Sequence, residues 1–419
     1  MDPDQARRLD RLLTPMCSAV GTLRRLVGGR PARLLIEGDS LPEVAGHSTV
    51  VVKLAGLGSL SFLAPILRAY AEALAPADQY LVTQQENRGL LDLLDWRVKP
   101  LYLEAGRARE SLGGGLGLLR QVRALRPAAV VDIEYYSRAC TLLSLASGSP
   151  IRLGFAEAPW RRNLLTHAVP WNPRWHLAKV TAWVLGKLAG ADVEAPAVLP
   201  LAPGVLGECP VERLPDRRLV CVNVNTSVLG VEGRLPLPHF RRMLSRLAAE
   251  TAVQLVFIGS RGEAPFVKQV VEFIGEVAPL VNVSGQTSLR ELLSLLWHAD
   301  LLITNDTGPL HFAVGLSTPT LSFFGPANPA NFGPREGPHT IACSDAVCSP
   351  CISERNMKKP PCRGRNVCLA ALDPEDLGRL AAEALLTPPE APRVVRPRLL
   401  PADEMEKVFA RDSGAEVRQ

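Results

Sequence analysis

The chain has 419 residues, of which 47% are hydrophobic and 21% are charged. This composition excludes a mainly disordered chain, and the length predicts two or three domains. The formal net charge is only +5 and aromatic residues make up 5%, which argues against nucleic acid as a partner. No apolar run reaches the roughly 18–20 residues that cross a bilayer, and Asp2 and Asp4 at the start do not suit a secretory signal, so we expect a cytoplasmic protein.

Residues 1–47 predict a helical extension that carries several arginines (Arg7, Arg8, Arg11, Arg24, Arg25). Residues 48–200 then alternate between strand and helix signals. Apolar runs at residues 49–54, 80–83 and 128–133 predict strands, and the helical spacing at residues 60–74 predicts a helix between the first two. This alternation indicates parallel βαβ units.

Five prolines between residues 196 and 215 mark a linker, after which the alternation starts again. Strands are predicted at residues 219–224, 253–258, 301–304 and 320–324. We therefore expect a second α/β domain over residues 201–386 and an extended tail over residues 387–419. Two successive domains of this kind predict two Rossmann-like domains that face each other across a cleft, with ligands beyond the carboxyl ends of the strands.

The most informative motif is Asn-Asp-Thr-Gly-Pro-Leu-His at residues 305–311, directly after a predicted strand. Asp306 or Thr307 can cap a helix, and Pro309 suits its first turn. The N–H groups at such a helix start, next to Gly308, bind phosphate oxygens well. A capped junction without a ligand is the alternative, but His311 and the Phe-Phe-Gly-Pro run at residues 323–326 favour a phosphate site.

Together with Ser-Gly-Gln-Thr-Ser-Leu at residues 284–289 and Phe-Phe-Gly-Pro-Ala-Asn-Pro at residues 323–329, this motif resembles the C-terminal signature of glycosyltransferase family 9, the ADP-heptose:lipopolysaccharide heptosyltransferases. The resemblance covers residues 48–386. It implies the α/β GT-B fold, a nucleotide-sugar donor held by the second domain, and a lipopolysaccharide-core or related glycan acceptor. It also implies inverting transfer that requires no metal or other cofactor.

The resemblance also implies which residues bind the donor. Four of them lie in the motif and contact phosphate and sugar, and four more lie after the preceding strands (Asp306, Thr307, Gly308 and His311; Asn225, Thr226, Arg234 and Glu263). Glu263 is implied to hold the nucleoside hydroxyls. Arg234 is the local cation for the diphosphate, because Gly233 stands where the family has a lysine.

The chain departs from the family after its first strand. Ser59 occupies the position of the aspartate that the family is thought to use as the base toward the acceptor hydroxyl, and a serine hydroxyl is a poor base near neutral pH. Asp132 and Glu134, at the end of the strand at residues 128–133, are the other catalytic candidates, although both also suit a structural role. Gly56 and Gly58 are expected to let the acceptor-side loop approach a ligand.

Five of the nine cysteines fall within residues 343–368. Four of them (Cys348, Cys351, Cys362 and Cys368) form a candidate structural site for zinc or iron, since four thiolates suit a tetrahedral ion and leave no open position for catalysis. Reduced thiols or disulfides are the alternatives, and a cytoplasmic location favours metal over disulfide.

Two other functions stay open from the sequence. Ser59 and Gly233 are compatible with a non-catalytic protein that binds nucleotide sugars, and the cysteines are compatible with a metal- or redox-sensing protein. The expected partners are a nucleotide-sugar donor and a glycan or lipid-linked acceptor. The basic extension suits either packing on the first domain or a peripheral contact with the inner membrane.

Overall fold

The computed structural model describes residues 3–26, 30–42, 44–54, 56–103, 108–134, 137–155, 159–170, 172, 174–226, 233–352, 362 and 366–405. The chain divides into two compact units, Met1–Pro196 and Ala197–Gln419. Each unit is an α/β structure around a parallel seven-stranded sheet. The predicted α/β class is therefore confirmed.

The first unit contains strands β1 (Arg33–Leu34), β2 (Thr49–Val52), β3 (Gln79–Gln84), β4 (Val98–Leu103), β5 (Ala129–Asp132), β6 (Ile151–Phe155) and β7 (His167–Val169). Its helices are α1 (Pro3–Leu26), α2 (Leu57–Ala73), α3 (Arg88–Leu91), α4 (Ala108–Ala124), α5 (Arg138–Ala146), α6 (Pro159–Arg162) and α7 (Leu177–Ala189). The strand order is β1-β7-β6-β5-β2-β3-β4. The winding reverses between β2 and β5, which is where open parallel sheets bind ligands.

The second unit contains strands β8 (Arg218–Asn223), β9 (Val253–Phe257), β10 (Leu280–Asn282), β11 (Leu301–Asn305), β12 (Thr320–Phe324), β13 (His339–Cys343) and β14 (Arg393–Val395). Its helices are α8 (Leu237–Glu250), α9 (Ala264–Ile274), α10 (Leu289–His298), α11 (Gly308–Gly315), α12 (Pro329–Phe332), α13 (Val367–Ala370) and α14 (Pro374–Leu386). The order is β10-β9-β8-β11-β12-β13-β14, so the winding reverses between β8 and β11.

The central strands are apolar because both faces of each sheet are covered. Val50, Val52 and Val130 are at most 1% exposed in the first unit, and Val220 and Ile303 are fully buried in the second. For this reason, the strands of parallel sheets have nearly continuous apolar runs in their sequences. The same runs made these strands predictable, and they place the polar residues that follow them at the carboxyl edge.

The N-terminal extension is part of the first unit. Helix α1 packs on α5 and α6, and Arg24 Nη1 donates hydrogen bonds to the carbonyls of Asn163 (2.5 Å) and Leu165 (3.1 Å). Strand β1 pairs in parallel with β7. Of the helices that the structure describes, none is long and apolar enough to cross a membrane.

Candidate functional site

The eight predicted donor-binding residues follow three neighbouring strands of the second unit. β9, β8 and β11 are adjacent in the sheet, and their carboxyl ends lead to Glu263, to Asn225 and Thr226, and to the motif at residues 306–311. Arg234 lies in the segment between β8 and α8. The structure therefore brings the predicted residues together at the point where the winding reverses, where the fold favours a ligand.

Asparagine side chains connect the ends of β8 and β11. Asn223 Nδ2 donates hydrogen bonds to Thr304 Oγ1 (2.9 Å) and Thr307 Oγ1 (2.8 Å). Asn305 Nδ2 donates to the carbonyl of Asn225 (3.0 Å). Asn223 was not predicted from the sequence as part of the site, although a polar residue within an otherwise apolar strand is a signal that could have indicated it.

Among the described residues at this edge, three buried polar atoms have no hydrogen-bond partner: Asn225 Oδ1, Thr226 Oγ1 and Arg234 Nε. Asn225 is 2% exposed and Thr226 is 7% exposed, so bulk water does not readily satisfy them. A buried polar atom without a partner costs about 1–3 kcal/mol. Three such atoms in one place indicate a site that is completed by a polar ligand or by ordered water.

Arg234 supplies positive charge to the same edge. Its guanidinium lies over the ring of Phe266, with the Cζ atom 4.2 Å from the ring centroid. Desolvation lowers the pKa of Arg234 and the charge of Glu263 raises it, but an arginine stays protonated at neutral pH. Glu263 Oε2 in turn accepts hydrogen bonds from the N–H (2.8 Å) and the hydroxyl (2.7 Å) of Ser260.

The turn that begins α11 keeps its backbone near the surface. Asp306, Thr307 and Gly308 are each partly exposed. Thr307 precedes the helix, but its hydroxyl accepts from Asn223 and does not cap α11. The first N–H groups of α11 are thus not capped by this side chain, which suits them to an anionic ligand.

His311 lies in the first turn of α11 and is half-buried. Desolvation lowers the pKa of His311 to about 4. The imidazole is therefore neutral at neutral pH and gains a proton only well below it. It can act toward a ligand as a hydrogen-bonding group but not as a cation.

The first unit has an ion pair at its own reversal point. Lys53, which follows β2, places Nζ 2.9 Å from Oε1 and 3.0 Å from Oε2 of Glu134, which follows β5. The N–H of Leu54 also donates to Glu134 Oε2 (3.0 Å). The Glu134 side chain keeps 12% exposure. Lys53 was not predicted from the sequence, because a single lysine after a strand carries no distinctive pattern.

Asp132 lies beneath this ion pair in the interior. Its Oδ2 is 2.7 Å from Arg161 Nη2 and accepts a hydrogen bond from Thr141 Oγ1 (2.7 Å). Burial raises the pKa of Asp132, while Arg161 and the hydrogen bond from Thr141 lower it. Because the carboxyl is 0% exposed, Asp132 has the surroundings of a structural group, and Glu134 is the carboxylate that solvent can reach.

Ser59 stabilises the turn that begins α2. Its hydroxyl donates to the carbonyl of Gly56 (2.8 Å). Gly56 has a φ of +94°, and a Cβ atom there would lie 2.6 Å from Ser59 Oγ, so only glycine suits this position. Gly58 is buried in the first turn of the same helix.

Three of the predicted metal-binding cysteines influence the pKa of the fourth, Cys368. Desolvation and the charges of Cys348, Cys351 and Cys362 raise the pKa of Cys368 to about 12. All nine cysteines lie in the described part of the chain, and none forms a disulfide. The described residues contain no group of three or more His, Cys, Asp or Glu side chains arranged to hold a metal ion.

Most of the second unit is similar in sequence to known proteins. Residues 212–361 match the family model of glycosyltransferase family 9 (heptosyltransferase). Lipooligosaccharide heptosyltransferase 2 of Haemophilus influenzae is 26% identical over 114 residues, which cover 27% of this chain and 33% of that protein. Lipopolysaccharide heptosyltransferase 1 of Pseudomonas aeruginosa is 31% identical over 120 residues, 26% of this chain and 34% of that protein. The chain thus spans about a third of the length of these relatives.

Solved structures extend the likeness to both units at the level of the fold. A family 9 glycosyltransferase from Veillonella parvula superposes with a TM-score of 0.64 at 21% identity, over 82% of this chain and 99% of that one. The ADP-heptose lipopolysaccharide heptosyltransferase II of Escherichia coli gives a TM-score of 0.60 at 18% identity, over 81% of this chain and 98% of that one. The fold is therefore GT-B. Residues 212–361 are thus similar in sequence to glycosyltransferase family 9, and the chain shares the fold of these solved structures.

Proposed function

We propose that this protein is an inverting glycosyltransferase that transfers a heptose-like sugar from ADP-heptose to a hydroxyl of a lipopolysaccharide-core or related glycan. The observation that carries the proposal is the group of three unpartnered buried atoms on Asn225, Thr226 and Arg234. They lie near the start of α11, which the Thr307 side chain does not cap, at the reversal point of the second unit. The oxygens of a diphosphate can accept hydrogen bonds from Thr226 Oγ1 and Arg234 Nε, and a hydroxyl of the donor can donate to Asn225 Oδ1.

The donor side stabilises the leaving group in this proposal. Negative charge develops on the diphosphate as its bond to the sugar breaks, and fixed donors aimed at that charge lower the barrier. The N–H groups at Thr307 and Gly308 and the guanidinium of Arg234 provide these donors. Glu263 is positioned at the start of α9 to hold the nucleoside hydroxyls, Asp306 lies beside the diphosphate at the start of α11, and neutral His311 hydrogen-bonds to phosphate or sugar.

The acceptor side requires a base for the attacking hydroxyl, and we assign this role to Glu134. It is the carboxylate with access to solvent, and Lys53 and the N–H of Leu54 hold it in place. A positioned carboxylate can take the proton as the hydroxyl attacks. Gly56 and Gly58 shape the neighbouring turn, and Ser59 stabilises that turn and is not the base.

The donor site can be tested by ADP binding. Replacing Arg234 with alanine is expected to weaken ADP binding by about 10–100-fold, because a hydrogen bond to a charged group contributes about 1.5–3 kcal/mol. Isothermal titration of the full chain measures this. Arg241→Ala is the matched control, since Arg241 also lies over a phenylalanine, Phe273, but is exposed on α8. If the wild-type chain fails to bind ADP and ADP-sugars, the transferase proposal is wrong.

We further propose that the four cysteines hold a structural zinc or iron ion. Four thiols are a donor set of the kind that zinc and iron prefer, although the described side chains are not arranged around an ion. Anaerobically purified protein is expected to contain one metal ion per chain by elemental analysis, and Cys348→Ser is expected to lose it. Cys209→Ser, which changes a thiol outside the group, is expected to retain it. Metal-free wild-type protein would leave these residues as reduced thiols.

We propose a cytoplasmic location for the protein, where nucleotide-sugar donors are available. The basic helix α1 is the candidate for a peripheral contact with the inner membrane, next to a lipid-linked acceptor. Co-sedimentation with anionic vesicles, compared between the full chain and a chain with α1 arginines replaced, separates this contact from simple packing of α1 on the first unit.

A further inference from the structure

The peptide group between Arg234 and Leu235 is held from both sides by asparagine side chains. The N–H of Leu235 donates to Asn305 Oδ1 (2.9 Å). The carbonyl of Arg234 accepts a hydrogen bond from Asn366 Nδ2. Asn305 belongs to the donor-site motif, but Asn366 comes from the part of the chain that carries the cysteines. Two distant segments therefore fix the plane of the peptide from which the Arg234 side chain extends.

Asn366 is itself well anchored. Its φ of +50° lies in the left-handed region, which asparagine tolerates better than most residues. It directly precedes α13, and the Cys368 thiol donates a weak hydrogen bond to Asn366 Oδ1 (3.9 Å). The carbonyl of Ala370, at the end of α13, is 3.0 Å from His239 Nε2 of α8. These contacts thus hold in place the segment from which the Asn366 side chain reaches Arg234.

The cysteine segment, here residues 348–352, 362 and 366–370, also contacts the turn after β12. Ser349 Oγ donates a hydrogen bond to the carbonyl of Gly325 (2.6 Å). The N–H of Cys351 donates a hydrogen bond to the carbonyl of Pro326 (2.9 Å). A Cβ atom on Gly325 would lie 2.8 Å from Cys368 Sγ. The Cys368 thiol of α13 and the backbone around Ser349 thus pack against the same turn, which connects the cysteine segment to the helix that Asn366 precedes.

We propose that Asn366 is a positioning residue for Arg234, and that through it the cysteine segment sets the affinity of the site for a diphosphate. The inference rests on the proposed donor site. Arginine loses side-chain rotamer freedom when it binds an anion, so a guanidinium on an unfixed backbone binds less well than a preorganised one. Asn366 contributes to binding without touching the ligand.

The test compares two probes, ADP and adenosine, by isothermal titration with the full chain. Asn366→Gly keeps the left-handed backbone and removes the amide donor. Asn366→Asp keeps the shape but presents a carboxylate that cannot donate. Both variants are expected to bind ADP about 3–10-fold more weakly, in line with the loss of one hydrogen bond. Adenosine, which lacks the phosphates, is expected to bind all variants equally and so reports on folding.

Double variants separate positioning from general destabilisation. In an Arg234→Ala background, Asn366→Gly is expected to cause no further loss of ADP affinity. Cys348→Ser is expected to weaken ADP binding when Asn366 is present and to have no added effect with Asn366→Gly. Additive losses in either pair would overturn the inference, as would unchanged ADP binding by both Asn366 variants. Failure of the wild type to bind ADP would instead overturn the proposed function.

Discussion

Replacing Glu134 with glutamine is expected to lower the turnover number for sugar transfer by about 10²–10⁴-fold, the usual contribution of a general base. Glutamine retains the size of the side chain and can still accept a hydrogen bond from Lys53, but it cannot take a proton. ADP binding is expected to stay unchanged, because the donor residues belong to the second unit. ADP release from ADP-heptose in the presence of lipopolysaccharide-core glycans measures turnover.

Ser59→Ala is the matched control for this experiment. It removes only the hydroxyl that donates to the Gly56 carbonyl, so transfer is expected to remain within a few-fold of wild type. The opposite result, an active Glu134→Gln and an inactive Ser59→Ala, would disprove the assignment of the base. If wild-type protein binds ADP but transfers sugar to no glycan, the non-catalytic alternative is the better description.

Replacing Arg161 with methionine is expected to destabilise the first unit by about 3–5 kcal/mol, because it leaves the Asp132 carboxyl buried without its charged partner. The Arg161 side chain is only 2% exposed, and it also donates to the carbonyl of Glu134 (2.5 Å). Urea unfolding, followed by a probe in the first unit, measures the change. The same variant is expected to reduce transfer, since Glu134 loses a backbone contact.

A second change distinguishes the buried charge from lost packing. Adding Asp132→Asn to Arg161→Met is expected to recover part of the stability, since the amide needs no counter-charge. Arg68→Ala removes an exposed pair with Glu72 one helical turn away and is expected to cost only about 0.3–0.5 kcal/mol. Equal losses for Arg68→Ala and Arg161→Met would contradict the proposed cost of an unpaired buried charge.

The sequence predicted most of the fold because parallel strands are apolar along their whole length. The strand expected at residues 301–304 and the helix expected at residues 60–74 correspond to β11 and α2. The edge strand β14 was harder to predict. It has only three residues, each partly or fully exposed, so it produces no buried apolar run.

The sequence alone indicated the candidate donor residues from Asp306 to His311, because a local motif contains them. The contacts of Asn223 and Asn366 were not predictable, because they join residues more than 80 positions apart. The Lys53–Glu134 pair likewise links two strand ends that only the sheet order makes neighbours. Sequence patterns report the secondary structure around a residue but not which distant side chain it meets.

The pairing of β1 with β7 has a consequence for shortened versions of this protein. β1 covers the backbone of β7 at one margin of the first sheet. A chain that starts at Ser48 would leave the N–H and carbonyl groups of β7 open to strands of other molecules, which favours self-association. We therefore expect the first 47 residues to reduce aggregation, whatever further role α1 has.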